Sequence, residues 1–197
     1  MPRDFIYSVM CVSANDRFTD VVFSVLPDSE FGPKRSCSSV SAARRALLDR
    51  TYDIVIVNTP LPDEFGGSFA IDVAENSSSG LLLFAESSIY EELAAKTEGF
   101  GILVLSRPAT KLQLRQSISL LCATRERIRK YEAKQLSFDE KMKEIKIINH
   151  AKWLLIENEH MTESDAHKEL EKAAMRSRTT KLAQANKIID KYEGGKL

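Results

Sequence analysis

Five cations near the end of the chain, Lys152, Lys172, Arg176, Arg178 and Lys181, are the side chains whose type and spacing offer the clearest chemistry. Gathered on a compact surface they would contact the phosphates of a polyanion. Arg176 and Arg178 can also stack on bases. Ser177, Thr179 and Thr180, interleaved with them, can donate to base edges. No covalent chemistry is visible elsewhere. His150, His160 and His167 are too scattered for a metal site, and Cys11, Cys37 and Cys122 lie far apart and are odd in number. Cys11 and Cys122 fall in apolar runs and read as small core residues. There is no nucleophile–base pair, glycine-rich phosphate loop or metal cluster, so the expectation is a non-enzyme with no cofactor and no metal.

These cations belong to a basic part of a neutral protein. The chain has 197 residues with 28 Lys and Arg against 28 Asp and Glu. Residues 1–124 hold 11 Lys and Arg against 15 Asp and Glu, a net of −4; residues 125–197 hold 17 against 13, a net of +4. Such a split implies two units with different partners, and the basic one is where nucleic acid would go. No apolar run approaches a membrane span and no signal peptide is evident at the N-terminus, so a cytoplasmic protein without a membrane partner is expected.

The first unit alternates strands and helices. Ile6–Val12, Tyr52–Val57, Leu81–Ala85 and Ile102–Leu105 are short, apolar and rich in branched residues, as buried strands are. Helical segments lie around Val21–Leu26, Ala42–Leu48, Phe69–Glu75, Ile89–Lys96 and Leu112–Leu121. Uniformly apolar strands fit a parallel sheet covered on both faces. The order, the phrase YDIVIVNTPLPDEFGG and the phrase VLSRPAT resemble the response-regulator receiver domain over about residues 5–122. This implies a flavodoxin-like, doubly wound, parallel five-stranded sheet, as in two-component signalling.

Set on that pattern, the phosphorylation machinery is missing. The metal-binding acidic pair falls at Ser13 and Ala14, the phosphoacceptor at Asn58, the switch hydroxyl at Ala85 and the lysine at Arg107. A divalent cation wants carboxylate oxygens, and Asp16 or Asp63 alone does not replace the set, although a small shift of alignment would bring Asp16 toward it. Asn58, Thr59 and Pro60 read as a structural turn. The expectation is an inactive pseudo-receiver whose surface takes a regulatory protein or a small ligand.

From Leu112 to Asn158 the chain lacks Pro and Gly. Steps of three and four link Leu121, Thr124, Ile128, Tyr131, Gln135, Phe138, Met142, Ile145 and Asn149. This is coiled-coil spacing. A parallel homodimer with Leu121, Ile128, Tyr131, Phe138, Met142 and Ile145 in its seam is expected; a single amphipathic helix on its own domain is the alternative.

Three helices follow from Phe138 onward. The first ends near Glu157–Glu159. Thr162 caps the second, with Glu163 and Asp165 in its first turn and Ala166, Leu170, Ala173 and Ala174 as its apolar side. Arg176–Thr179 is a basic loop, Thr180 caps the third helix, and Gly194 and Gly195 end it. The phrases AKWLL (Ala151–Leu155), TESDAH (Thr162–His167) and LEKAAM (Leu170–Met175) resemble the ANTAR domain, the RNA-binding module of transcription antitermination regulators. Trp153 departs from the usual glycine and Glu171 from a frequent basic residue. Trp153 reads as a core residue, with base stacking as the alternative. The resemblance implies paired RNA hairpins in leader transcripts, bound by a dimer.

The expected architecture is therefore α/β plus all-α: a receiver-like domain over 1–122, a coiled-coil linker over 112–137 and an ANTAR bundle over 138–193. The expected function is phosphorylation-independent antitermination. The main alternative is a protein–protein signalling adaptor, and a DNA-binding regulator is a further one.

Overall fold

The structure is a computed structural model that describes residues 5–194. The chain forms two compact units, Met1–Lys130 and Tyr131–Leu197.

The first unit holds strands β1 (Tyr7–Val12), β2 (Phe31–Cys37), β3 (Ile54–Asn58), β4 (Gly80–Glu86) and β5 (Leu103–Arg107). Between them run helices α1 (Asp16–Ser24), α2 (Val40–Asp49), α3 (Gly67–Asn76) and α4 (Tyr90–Thr97), with a 3-10 turn at Glu98–Phe100. The sheet is parallel with strand order β2-β1-β3-β4-β5. That is the flavodoxin-like order expected from the sequence.

The apolar runs are explained by two cores. Side chains along a strand alternate between faces. Met10, Val12, Val55, Val57, Leu81 and Leu83 therefore face α2, α3 and α4. Val9, Cys11, Ile54, Ile56, Leu82 and Phe84 face α1 and the first turns of α5 (Lys111–Glu159). Cys11, Cys37 and Cys122 are buried and form no disulfide, and burial pushes the Cys11 thiol up to about 12.

Strand β2 was not read from the residues. Its sequence FGPKRSC buries only Phe31 and Cys37. It is an edge strand, where one side of the ladder needs no partner and a proline such as Pro33 is tolerated. Nothing apolar therefore marks its middle.

Local signals set the helix starts. Asn15 Oδ1 accepts from Phe18 N at 3.2 Å and Ser39 Oγ from Ala42 N at 3.2 Å. Gly66 carries φ +98°, a left-handed conformation that glycine adopts without strain. Asp63 is a capping group: its carboxylate accepts from Val40 N at 3.0 Å and Ser41 N at 2.8 Å, at the start of α2.

In the second unit the last part of α5 packs with α6 (Glu163–Arg176) and α7 (Lys181–Glu193). Ala151, Leu170 and Ala185 are fully buried at its centre, flanked by Ile147, Ile148, Ile188 and Ile189. Thr162 and Thr180 cap α6 and α7 through Asp165 N at 3.2 Å and Ala183 N at 3.1 Å. Ala173 is only partly buried. Gly194 ends α7, whereas Gly195 lies outside the described residues.

Two sequence expectations need correcting. Leu121 is 3% exposed and packs in the core of the first unit against the sheet, so it is not available to a dimer seam. Trp153 is 53% exposed and is no core residue. Residues Ile147, Ile148, Ala151, Leu154 and Leu155 define the buried side of α5. At 100° per residue Trp153 falls nearly opposite the middle of that arc. Its indole instead stacks beside His150, rings 6.0 Å apart and 13° from parallel.

Candidate nucleic-acid interface

Helix α6 sets out three cations at intervals of four residues, Lys168, Lys172 and Arg176, on one exposed face. Lys168 was overlooked in the sequence, although the four-residue step from Lys172 was its signal. Arg178 follows in the loop, exposed and held at φ 49°. The loop is fixed by backbone bonds from Arg178 N to Met175 O at 3.2 Å and Thr179 N to Ala174 O at 3.0 Å. Its basic side chains are thus presented from an ordered turn.

Lys152, Arg176 and Lys181 have acidic partners, and those of Lys152 and Lys181 lie on a different helix from the cation. Lys152 has a side chain only 15% exposed, with Nζ 3.4 Å from Glu163 Oε1. Arg176 Nη2 is 2.6 Å from Glu169 Oε1. Lys181 Nζ reaches Glu171 Oε1 at 2.5 Å, and His167 Nε2 lies 3.3 Å from the same carboxylate. The Lys181 hydrogen bond holds the Glu171 carboxyl below its ordinary range. Lys168, Lys172 and Arg178 make no ion pair among the described residues. Free positive charge therefore concentrates on α6 and its following loop. Surface pairs contribute little stability, so a phosphate can displace Glu169 or Glu171.

In the first unit Ser13, Ala14, Asn58, Ala85 and Arg107, the five positions singled out by the resemblance, lie at or beside the carboxyl ends of the strands. Asn58 Nδ2 donates to Ser13 Oγ at 3.0 Å, and both residues are buried. Ser13 N donates to Cys37 O at 2.8 Å. Thr59 Oγ1 donates to Phe84 O at 2.7 Å, and Arg107 Nη2 to Thr59 O at 2.6 Å. These bonds tie together the ends of all five strands with neutral groups and one guanidinium. Ala85 is fully buried in β4 opposite Ser106, and Ala14 is exposed. Asp16 is the exposed first residue of α1. Among the described residues, no group of three or more His, Cys, Asp or Glu could hold a metal ion.

Comparison with known families matches residues 137–189 to the ANTAR domain. The C-terminal unit is an ANTAR domain. Its helices are α6, α7 and the last part of α5. The "Transcriptional regulatory protein PdtaR" of Mycobacterium tuberculosis is 25% identical over 138 residues, 70% of this chain and 67% of that protein. The first unit shares its fold with chemotaxis response regulator CheY4 of Vibrio cholerae, with a TM-score of 0.51, 17% identity, and coverage of 59% of this chain and 98% of that one. It also matches the signal receiver domain of an HD domain-containing protein from Pseudomonas fluorescens, with a TM-score of 0.52, 21% identity, and coverage of 64% and 97%. The chain thus joins a receiver-type fold to an ANTAR domain, the organisation of an ANTAR response regulator. No helix among the described residues is long and apolar enough to cross a membrane.

Proposed function

We propose that this chain is a cytoplasmic, non-enzymatic transcription antitermination regulator that binds RNA hairpins as a homodimer, without phosphorylation at position 58. The observation that carries the reading is the exposed row Lys168, Lys172 and Arg176 with Arg178 beside it, on an ANTAR domain. Rows of this kind contact phosphates, and arginines at an ordered turn add stacking on unpaired bases. Lys152 and Lys181 supply further charge once Glu163 and Glu171 yield. PdtaR, named as a transcriptional regulator, supports the same biological role.

Dimerisation is supported by the side chains that α5 leaves uncovered. Ile128, Tyr131, Phe138, Met142 and Ile145 are between 37% and 61% exposed and keep the three-and-four step. A second copy of the same helix would cover them. Phosphorylation independence is supported by the hydrogen bonds that close the strand ends around Asn58 with no carboxylate at that position.

Electrophoretic shift with a two-hairpin RNA, set beside duplex DNA of equal length, tests the function. RNA should bind more tightly, and Lys172→Ala with Arg178→Ala should abolish the shift while the helix signal in circular dichroism stays. The adaptor reading gains from the acidic partners on Lys152, Arg176 and Lys181, which lower the net charge of the surface. Failure to shift any stem-loop, with tight capture of a protein, would establish it instead.

A further inference from the structure

A cavity with a volume near 560 Å³ lies wholly in the first unit, between α1, the end of β4 and the start of α5. Its wall is apolar: Phe18, Val21, Val22, Phe84, Pro108 and Leu114. Phe18 and Phe84 meet edge to face, ring centres 4.9 Å apart. Its rim carries Arg107 and Lys111 against one carboxylate, Glu86. Volume, apolar lining and a few convergent polar groups are the marks of a small-molecule site. It lies beside the carboxyl ends of β4 and β5.

The charges on the rim specify the ligand. Arg107 Nε is buried without a hydrogen-bond partner, and Nη2 is fixed on Thr59 O at 2.6 Å. Glu86 stands 3.8 Å from the guanidinium and its side chain is 65% exposed, a loose contact that a better-placed anion can replace. Lys111 is exposed and begins α5, whose amino end adds positive potential to the same rim. The helix start is ordered by reciprocal bonds, Thr110 N to Gln113 Oε1 at 2.8 Å and Gln113 N to Thr110 Oγ1 at 3.2 Å.

We infer that this cavity binds a small aryl or alkyl carboxylate, with its apolar body against Phe18 and Phe84 and its anion between Arg107 and Lys111. Binding there would engage Arg107 and, through its bond to Thr59 O and the bond from Thr59 Oγ1 to Phe84 O, the ends of β3 and β4. The binding step stands on the fold of the first unit and not on RNA recognition, so the two readings fail separately.

The test uses the full chain, methyl-labelled, titrated with 3-phenylpropionate and separately with its neutral amide. The acid should shift the Val21, Val22 and Leu114 methyl resonances with a dissociation constant of about 1 mM or tighter, as expected for a ligand of this size. The amide should bind about tenfold more weakly, the loss expected when a charge-assisted contact is removed. Lys111→Glu, an exposed substitution that spares the fold, should weaken the acid about tenfold and leave the amide unchanged. Arg107→Met should do the same, with folding checked from the unshifted methyl spectrum. Equal binding of acid and amide, shifts confined to other methyls, no shift at all, or an unaltered constant in Lys111→Glu would each overturn the assignment.

Discussion

The side-chain amide of Asn58 donates to the hydroxyl of Ser13 at 3.0 Å, so the third and first strand ends are joined by a hydrogen bond between neutral groups. Ser13 Oγ also accepts from Asn15 N at 3.0 Å, which ties the same hydroxyl to the cap of α1. The pair is a structural clasp, and that gives a prediction about Asn58→Asp.

Asn58→Asp replaces a donor with a carboxylate at a position 6% exposed. The Nδ2–Ser13 bond disappears and a charge is placed where burial disfavours it. Urea unfolding of the first unit should show a loss of about 1–3 kcal/mol. Neither Ser13 nor Ala14 can hold Mg²⁺ for phosphoryl transfer. Incubation with a small phosphodonor and Mg²⁺ should therefore add no mass of about 80 Da to the natural chain or the variant. A stable adduct on the natural chain would end the phosphorylation-independent reading.

How the sequence announced these features depends on the physical signal each one left. Strands β1, β3, β4 and β5 were visible because both faces of a covered parallel sheet demand apolar residues. Strand β2 was not, because its middle faces solvent and its alternation carries almost no hydrophobic contrast. Caps at Thr162 and Thr180 were legible because a short hydroxyl side chain satisfies amides locally. Trp153 was misplaced because its chemistry implies burial while its helical phase forbids it. Leu121 satisfied the heptad spacing, yet the sheet beside it had the stronger claim. The acidic partners of Lys152 and Lys181 lie on neighbouring helices, and nothing in a linear sequence pairs them.

Those pairs make RNA affinity adjustable from the acidic side. Arg176 is held by Glu169 at 2.6 Å. Glu169→Gln removes the competing anion and should tighten RNA binding about two- to fourfold, with little change in stability because the pair is exposed. Lys172→Ala should weaken binding and reduce the salt slope by about one, since it deletes a single phosphate contact. Titrations at several salt concentrations measure both. If Glu169→Gln leaves affinity untouched while Lys172→Ala abolishes it, Arg176 lies outside the interface.

The second unit rests on very few fully buried side chains, and Leu170 is the largest of the three at its centre. Leu170→Ala should cost about 2–5 kcal/mol, the range for deleting a buried leucine side chain. A core this small has little reserve. The expected result is loss of the α6 and α7 helix signal and of RNA binding, while thermal unfolding of the first unit is preserved. Calorimetry that shows one shared transition lowered in both units would contradict independent cores.

Asp63 gives the fold an acid limit of known sign. Its carboxylate accepts hydrogen bonds from Ser41 N and Val40 N, which lower its pKa from 3.8 to about 2. A carboxyl depressed in the folded state stabilises fully above its unfolded value, and the contribution fades as pH falls through the folded value. The stabilisation from this group is therefore complete above about pH 4 and is lost between about pH 4 and pH 2. Asp63→Asn keeps an acceptor for one amide but cannot titrate. Its stability should be lower than that of the natural chain near pH 7, and the gap should close over that acid window. A gap that persists unchanged down to pH 2 would show that the carboxylate charge plays no part in capping α2.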